Sequence, residues 1–141
     1  MKRIMGIDYG DARTGVAFSD LLCSIVGTTT VIHSRRPEKT LAEIVKLVGE
    51  HEVGEIVMGL PKNMDGSEGP RADVIKAFVA ILSELTELPI DLADERMTTM
   101  EAYRFLDGSG TYGKKRKGVI DTLSAQIILQ DYLDRERASR R

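Results

Sequence analysis

The chain has 141 residues, of which 42 % are hydrophobic and 30 % are charged, and its formal net charge is −2. This length predicts one domain, residues 1–141, with a core of its own. The small net charge excludes a polycation, so nucleic-acid binding would need a local basic patch.

No apolar run approaches the about 20 residues of a membrane span. A strand begins almost at the N-terminus and Cys23 is the only cysteine. We therefore expect no signal peptide, no internal disulfide and a cytoplasmic protein without a membrane partner.

The first third of the chain has the pattern of β-strands. Residues 3–9 and 14–20 flank a glycine-containing turn, which predicts a hairpin. The β-branched residues of segment 24–33 predict a third strand. Because strands joined by such short connections run antiparallel, these three should form one antiparallel unit.

Helices and strands alternate in the rest of the chain. Thr40 and Glu43 predict a capping box at the start of a first helix that ends at Gly49 or Gly54, and Pro70 predicts the start of a second helix. The apolar face of the second helix is predicted to consist of Val74, Phe78, Ile81, Leu82 and Leu85.

Two short apolar segments, 53–58 and 89–93, predict the remaining strands. A helix over 98–106, a glycine-rich basic loop over 108–118 and a last helix over 119–135 should follow them. Strands separated by helices run parallel through right-handed crossovers. The predicted fold is therefore α/β, with a mixed five-stranded sheet of three antiparallel and two parallel strands flanked by helices. Such sheets bind ligands at the carboxyl ends of their strands.

Acidic residues occur at three places that this sheet would bring together. Asp8 ends the first strand, Asp94 and Glu95 follow the last strand, and Asp121 is expected in the first turn of the last helix. Hard oxygen donors around one crevice suit Mg²⁺, and the chemistry that follows is phosphodiester hydrolysis. Each acid also has a simpler reading: Asp8 as a cap of turn amides, Glu95 as the ion-pair partner of Arg96, and Asp121 as a complement to the helix dipole.

Basic residues flank these acids along the chain. The loop residues Lys114, Lys115, Arg116 and Lys117 directly precede the helix that carries Asp121, and Arg13 lies in the first turn near Asp8. These cations could hold a phosphate backbone. Aromatic residues make up only 5 % of the chain and tryptophan is absent. Recognition would then depend on the backbone and shape of a nucleic acid more than on base stacking.

Four groups of residues, in order along nearly the whole chain, resemble the motifs of one known family. They are residues 6–10 with 13–17, residues 59–67, residues 94–99, and residues 117–121 with 124–129. On these motifs the chain resembles the YqgF (RuvX) family of RNase H-like nucleases. The resemblance implies an RNase H-like fold and a nuclease that matures the 5′ end of pre-16S ribosomal RNA in ribosome biogenesis, with ribosomal particles as a further partner.

When the site residues of the family are carried over by motif, the resemblance implies that Asp8, Glu95 and Asp121 are the catalytic and metal-binding acids. It also implies Mg²⁺ or Mn²⁺ as the cofactor. Relatives in the wider RNase H-like group often carry an acid at the end of the fourth strand, where this chain has Met58 and Gly59. Asp65 in the following loop fits a turn better than a metal site. With three acids, catalysis by one metal ion stays open beside catalysis by two.

Other functions are compatible with the same residues. The family is similar to Holliday-junction resolvases, which would act on branched DNA as two-fold dimers. A non-catalytic RNA-binding assembly factor could use the basic loop alone. A nucleotide-binding ATPase with this strand–turn pattern needs two such domains, and 141 residues accommodate one. The chain would be a monomer or a homodimer.

Overall fold

The computed structural model describes residues 2–63, 65–94 and 113–139, with helical backbone alone over 113–121. Its elements are β1 (Arg3–Asp8), β2 (Arg13–Ser19), β3 (Val26–His33), α1 (Pro37–Glu50), β4 (Val53–Leu60), α2 (Pro70–Leu85), β5 (Ile90–Asp94) and α3 (Gly113–Ser139). The helix predicted over 98–106 lies outside the described residues. None of the described helices combines the length and hydrophobicity that crossing a bilayer requires.

The five strands form one mixed sheet in the order β3-β2-β1-β4-β5. β2 is antiparallel to both β1 and β3, whereas β4 is parallel to both β1 and β5. The predicted sheet is therefore confirmed. Because β3 is antiparallel to β2, it runs in the same direction as β1. The carboxyl ends of β1, β3, β4 and β5 consequently meet at one end of the sheet, here called the carboxyl end.

Helices cover both faces of the sheet. One face packs on α1 and α2 through a core that includes Ile7, Val16, Met58, Ile44 and Phe78. The other face packs on α3 through a second core, which consists of Ile4, Ala17, Val57, Ala125, Ile128, Leu129 and Leu133. Burying both faces explains why the central strands β1 and β4 are almost continuously apolar.

The first helix does not begin as predicted. α1 starts at Pro37, and Thr40 lies inside it with its hydroxyl 3.4 Å from the Arg36 carbonyl oxygen. Proline fits the first helical position and pushes the residue before it out of the helical region, so it sets the boundary. The capping box of Thr40 and Glu43 is thus wrong. α1 ends at Glu50, between the two glycines that were expected to end it.

The second helix begins at Pro70, as predicted, but its apolar face is rotated. Phe78 and Leu82 are buried together with Ala72 and Ile75. Val74, Ile81 and Leu85 are instead 44 %, 49 % and 52 % exposed. Ala72 is small, so a pattern of large apolar residues does not reveal that it is buried.

Candidate functional site

Asp8 stands in a row of very small residues at the carboxyl end of the sheet. It pairs in register with Gly15 of β2. Ile7 pairs with Met58, so the next residue of β4 beside Asp8 is Gly59, which itself pairs with Ala93 of β5. The row Gly15, Asp8, Gly59, Ala93 therefore has one large side chain, the half-buried carboxylate of Asp8. Glycine within strands allows a ligand or another backbone to approach closely.

The carboxylate of Asp8 belongs to the face of the sheet that α3 covers. Gly6, two residues before it, contacts α3, and Ala17 of β2 packs in the α3 core. Side chains alternate between the faces of a strand, so Asp8 shares this face with Gly6. Arg13, four residues before Ala17, lies on the same face at the amino end of β2. Asp8 and Arg13, both predicted site residues, are therefore placed on one face and at one end of the sheet.

Helix α3 crosses this face antiparallel to β1. Ile4 and Leu133 line the same small pocket of about 110 Å³. One step further along β1, a Cβ atom on Gly6 would lie 2.7 Å from Leu129 Cβ and 3.2 Å from the main-chain oxygen of Ala125. Residue numbers thus fall along α3 as they rise along β1. Asp8 is two residues after Gly6 in β1, and position 121 is about one turn before Ala125 in α3. Two strand residues and one helical turn both span about 6 Å. The backbone at position 121 therefore lies opposite Asp8.

The start of α3 corrects the prediction for two groups of site residues. The helix begins at Gly113, so Lys114, Lys115, Arg116 and Lys117 lie on helical backbone and the predicted loop is wrong from residue 113 onward. Lysine and arginine are good helix formers, so a cluster of them does not by itself indicate a loop. Asp121 is eight residues after Gly113 and not in the first turn. The helix dipole acts within the first turn, so its simpler reading as a dipole complement loses its basis.

The third predicted acid lies outside the described residues. Asp94 ends β5, where it pairs in register with Leu60, and Glu95 follows it in the chain. Among the residues whose side chains the structure describes, no three histidine, cysteine or acidic groups lie close enough to share a metal ion. Of the three predicted acids, Asp8 is the one whose side chain the structure describes. The convergence of the three acids therefore stays a prediction, as does the alternative pairing of Glu95 with Arg96.

The turn after Asp8 is fastened by Arg71, which sequence reasoning missed. Its guanidinium forms an ion pair with Asp11 at 2.8 Å and donates a hydrogen bond to the Tyr9 carbonyl oxygen at 2.7 Å. The Tyr9 ring stacks on Phe78 with 4.1 Å between centroids, and burial raises the pKa of its hydroxyl. No local sequence signal reveals this contact, because Arg71 is remote in the chain. The contact fixes the turn after Asp8 relative to α2.

Glycine is required within the same turn. A Cβ atom on Gly10 would lie 2.1 Å from the main-chain oxygen of Arg13. The Gly10 amide donates a hydrogen bond of 3.4 Å to the Thr14 hydroxyl, which is buried. The chain therefore reverses tightly between Asp8 and Arg13, and this reversal brings the two side chains to the same end of the sheet.

The loop after β4 uses its acid as a turn residue. Asp65 Oδ1 accepts hydrogen bonds from the Ser67 amide at 2.9 Å and from the Ser67 hydroxyl at 2.6 Å. Gly66 has a φ of 91°, which favours glycine. The turn role predicted for Asp65 is confirmed.

A second unpredicted cluster fastens α3 to the sheet at the opposite end. The hydroxyl of Tyr132 contacts Glu55 of β4 and lies 2.7 Å from Asp91 of β5. Burial and then the two carboxylates raise the pKa of Tyr132 well above its ordinary value. Because Glu55 and Asp91 lie on adjacent strands, this hydroxyl fixes the lateral position of α3 over β4 and β5.

The sheet order, the helix placement and the acid at the end of β1 define an α/β protein of the RNase H-like fold. The RuvC structure from Thermus thermophilus has this fold, with a TM-score of 0.59 and 13 % identity over 96 % of each chain. The chain belongs to the RuvX family, whose family model, described as Holliday junction resolvase, matches residues 2–135. The resemblance inferred from the four motifs is thereby confirmed.

Relatives of similar length support the same assignment. A protein of Halothermothrix orenii is 48 % identical over 132 residues, which cover 94 % of each chain. A protein of Thermoanaerobacter pseudethanolicus is 46 % identical over 136 residues, or 96 % of this chain and 98 % of the relative. Both relatives carry the name "Putative pre-16S rRNA nuclease".

Proposed function

We propose that this protein is a metal-dependent endonuclease that hydrolyses phosphodiester bonds of pre-16S ribosomal RNA near its 5′ end, in the cytoplasm. Asp8, Glu95 and Asp121 would hold Mg²⁺ or Mn²⁺ within a single domain. The names of the relatives support the substrate. The observation that carries the chemistry is the position of Asp8, whose carboxylate lies among glycines on the α3 face, opposite backbone position 121.

The spacing of the strands agrees with the use of a glutamate as the third acid. β5 is two strands from β1, a separation of about 10 Å between backbones. A metal ion with oxygen ligands at about 2 Å on either side spans about 4 Å of that gap. The remainder must be covered by the two side chains, and glutamate is longer than aspartate by one methylene. Gly59 on the intervening strand β4 leaves the space between them unfilled.

The donor set suits a hard divalent cation, because three carboxylates offer only oxygen ligands. When bound, Mg²⁺ would supply an activated water nucleophile and stabilise the leaving oxygen. The chain's own residues would do the rest. The carboxylates would orient around one point, and the small residues of the row would let a backbone phosphate approach. Arg13 would bind the phosphate from the same face of the sheet.

The basic residues at the start of α3 extend the proposed substrate surface. Lys114, Lys115, Arg116 and Lys117 occupy helical positions one to two turns before Asp121. Their backbone positions precede position 121 along the same helix. Their role would be to neutralise the backbone of the nucleic acid, which accounts for affinity without base recognition.

The proposal is tested by Asp8→Asn in a cleavage assay with Mg²⁺ or Mn²⁺ on an RNA spanning the 5′ end of 16S ribosomal RNA. We expect a loss of at least about 100-fold in kcat, because a neutral amide replaces a charged metal ligand at the reacting centre. Asp65→Asn is the matched control, since Asp65 is exposed and serves a turn. A nuclease-free Asp8→Asn preparation that cleaves at the wild-type rate would remove Asp8 from the mechanism.

The description of the matching family model favours a second candidate, a resolvase that acts on Holliday junctions. The chemistry would be the same, with a two-fold dimer to cut both strands symmetrically. A four-way DNA junction in the same assay separates the two substrates, and sedimentation measures the oligomeric state. If the wild-type protein binds RNA but cleaves neither substrate under any metal condition, it is an assembly factor and the nuclease proposal fails.

A further inference from the structure

A basic surface extends sideways from the candidate site across β2 and β3. His33 ends β3 and pairs in register with Arg13, the first residue of β2. The amide of Ser34 then donates a hydrogen bond of 3.1 Å to the carbonyl oxygen of Ala12, in the turn after Asp8. The chain segment between β3 and α1 is therefore held at the carboxyl end of the sheet, two strands away from Asp8.

This segment carries more positive than negative charge, with Arg35, Arg36 and Lys39 against the single acid Glu38. Arg35 and Lys39 are exposed. Within the part of the chain that the structure describes, Arg35 makes no side-chain hydrogen bond or ion pair, whereas Lys39 interacts electrostatically with Glu38. Arg36, in contrast, forms an ion pair with Glu38 at 2.8 Å. One of two adjacent arginines is thus matched by a carboxylate and the other is not.

An open groove lies next to His33, between the outer strand β3 and α1, around the sheet edge from the face that α3 covers. It has a volume of about 430 Å³, and its lining includes His33, Ser34, Lys39 and Glu43. The lining contains a hydroxyl and a cation that can bind phosphate and ribose oxygens, and Glu43 is the acid that opposes them. β3 is an outer strand of the sheet, so the groove is open to a long polymer and not only to a small ligand.

We propose that Arg13, His33, Arg35 and Lys39 form a binding track for the phosphate backbone of the nucleic acid on one side of the cleaved bond. The inference rests on the proposed function and adds the direction in which the nucleic acid extends from the cleaved bond. β3 is two strands from Asp8, about 10 Å away. A stacked strand rises about 3.4 Å per nucleotide. The phosphate bound near Arg35 is therefore about three nucleotides from the scissile phosphate, towards β3 and away from β5.

Equilibrium binding in the presence of a chelator tests the track without any cleavage. The probes are a labelled 12-nucleotide oligouridylate and a four-way DNA junction, each titrated over a range of salt concentrations. We expect Arg35→Gln to weaken binding about fivefold and to reduce the slope of log K against log salt by about 0.7 for single-stranded RNA or about 0.9 for duplex DNA. Arg36→Gln is the matched control and should change both quantities less, because Glu38 already neutralises Arg36.

Both probes identify the polymer that uses the track. A loss confined to the oligouridylate supports the track and assigns it to single-stranded RNA, and a loss confined to the junction supports it and assigns it to branched DNA. Wild-type affinity and wild-type salt slope for Arg35→Gln on both probes would overturn the track. Lys39→Gln, a second exposed position, should weaken binding in the same direction but by less than Arg35→Gln, because Glu38 already offsets part of its charge.

The outcome is independent of the catalytic proposal. Asp8→Asn should bind both probes at least as tightly as the wild type in chelator, because it removes a negative charge. If Asp8→Asn cleaves normally, the catalytic assignment fails while the binding data for Arg35 stand. If Asp8→Asn is inactive and Arg35→Gln binds normally, only the track fails.

Discussion

The substitution Gly6→Ala tests whether close packing of α3 on β1 sets the geometry of the site. A methyl group on Gly6 would lie 2.7 Å from Leu129 Cβ and 3.2 Å from the Ala125 carbonyl oxygen. Carbon atoms in contact are normally at least about 3.5 Å apart, so the helix must move away by about 0.8 Å. Leu129 is fully buried, and its Cβ atom is fixed to the helix backbone, so a rotamer change cannot relieve the contact.

The expected loss follows from overpacking. An added methyl group in a packed core costs about 1–3 kcal/mol. Replacing glycine restricts the unfolded chain and returns about 0.4–1 kcal/mol. We therefore expect a net loss of about 1–2 kcal/mol in the free energy of unfolding. For a chain of this length the loss lowers Tm by about 3–8 °C.

Two other glycines provide matched controls for this experiment. A methyl group on Gly49 in α1 would have no atom within 4 Å, so Gly49→Ala should stabilise the protein by about 0.5–1 kcal/mol through helix propensity. A methyl group on Gly54 would also meet a neighbour at 2.7 Å, but that neighbour is the Cβ atom of Lys2. Lys2 is exposed and precedes β1, so its backbone can shift more readily than that of Leu129, and the effect of Gly54→Ala should stay within about 0.5 kcal/mol.

Urea denaturation measures all three variants, and equal m-values show that only stability has changed. The order of stability should be Gly49→Ala, wild type, Gly54→Ala and Gly6→Ala. If Gly6→Ala is as stable as Gly54→Ala, the contact between β1 and α3 is not tight, and the placement of position 121 opposite Asp8 loses its support. Gly6→Ala should also cleave more slowly than the wild type, because the helix that carries Asp121 has moved.

Two further substitutions test the contacts that hold α3 and the first turn. Tyr132→Phe should lower the free energy of unfolding by about 1 kcal/mol at pH 8, because it removes the hydrogen-bond donor between Glu55 and Asp91. The folded-state pKa of Tyr132 is raised, so wild-type stability should fall as the pH rises above the ordinary tyrosine pKa of about 10. Thermal unfolding at pH 8 and 10.5 should show a smaller alkaline loss for the variant, and an equal loss would contradict this role. Arg71→Lys should cost about 1 kcal/mol in urea, since an ammonium group cannot make both contacts of the planar guanidinium. An unchanged midpoint would show that these contacts do not stabilise the turn.

Local signals predicted the sheet well. The hairpin of β1 and β2 follows from a glycine-containing turn between two apolar runs, and the parallel strands follow from the helices that separate them. Pro70 fixed the start of α2 for a local reason as well, because proline suits the first helical turn. The same physics worked against the prediction at α1, where Pro37 outweighed the capping pattern at Thr40.

Tertiary contacts limited the rest. Asp8 could be selected from sequence because an acid ending an apolar strand is unusual, but its glycine neighbours, Gly15 and Gly59, emerge only from strand register. Arg71 reaches the first turn across 60 residues of sequence, and no periodicity encodes that contact. The start of α3 is not apparent from the sequence because glycine and clustered charge are typical of loops, although lysine and arginine also form helices well.

Metal titration of the acidic triad tests the central claim most directly. Mn²⁺ binding, measured by calorimetry, is compared among the wild type, Asp8→Asn, Glu95→Gln and Asp121→Asn. If the three carboxylates hold one ion together, each substitution should weaken binding at least about tenfold, and the folded state should remain intact. Wild-type Mn²⁺ affinity in Asp121→Asn or Glu95→Gln would show that the acids do not converge, and would contradict the proposed site.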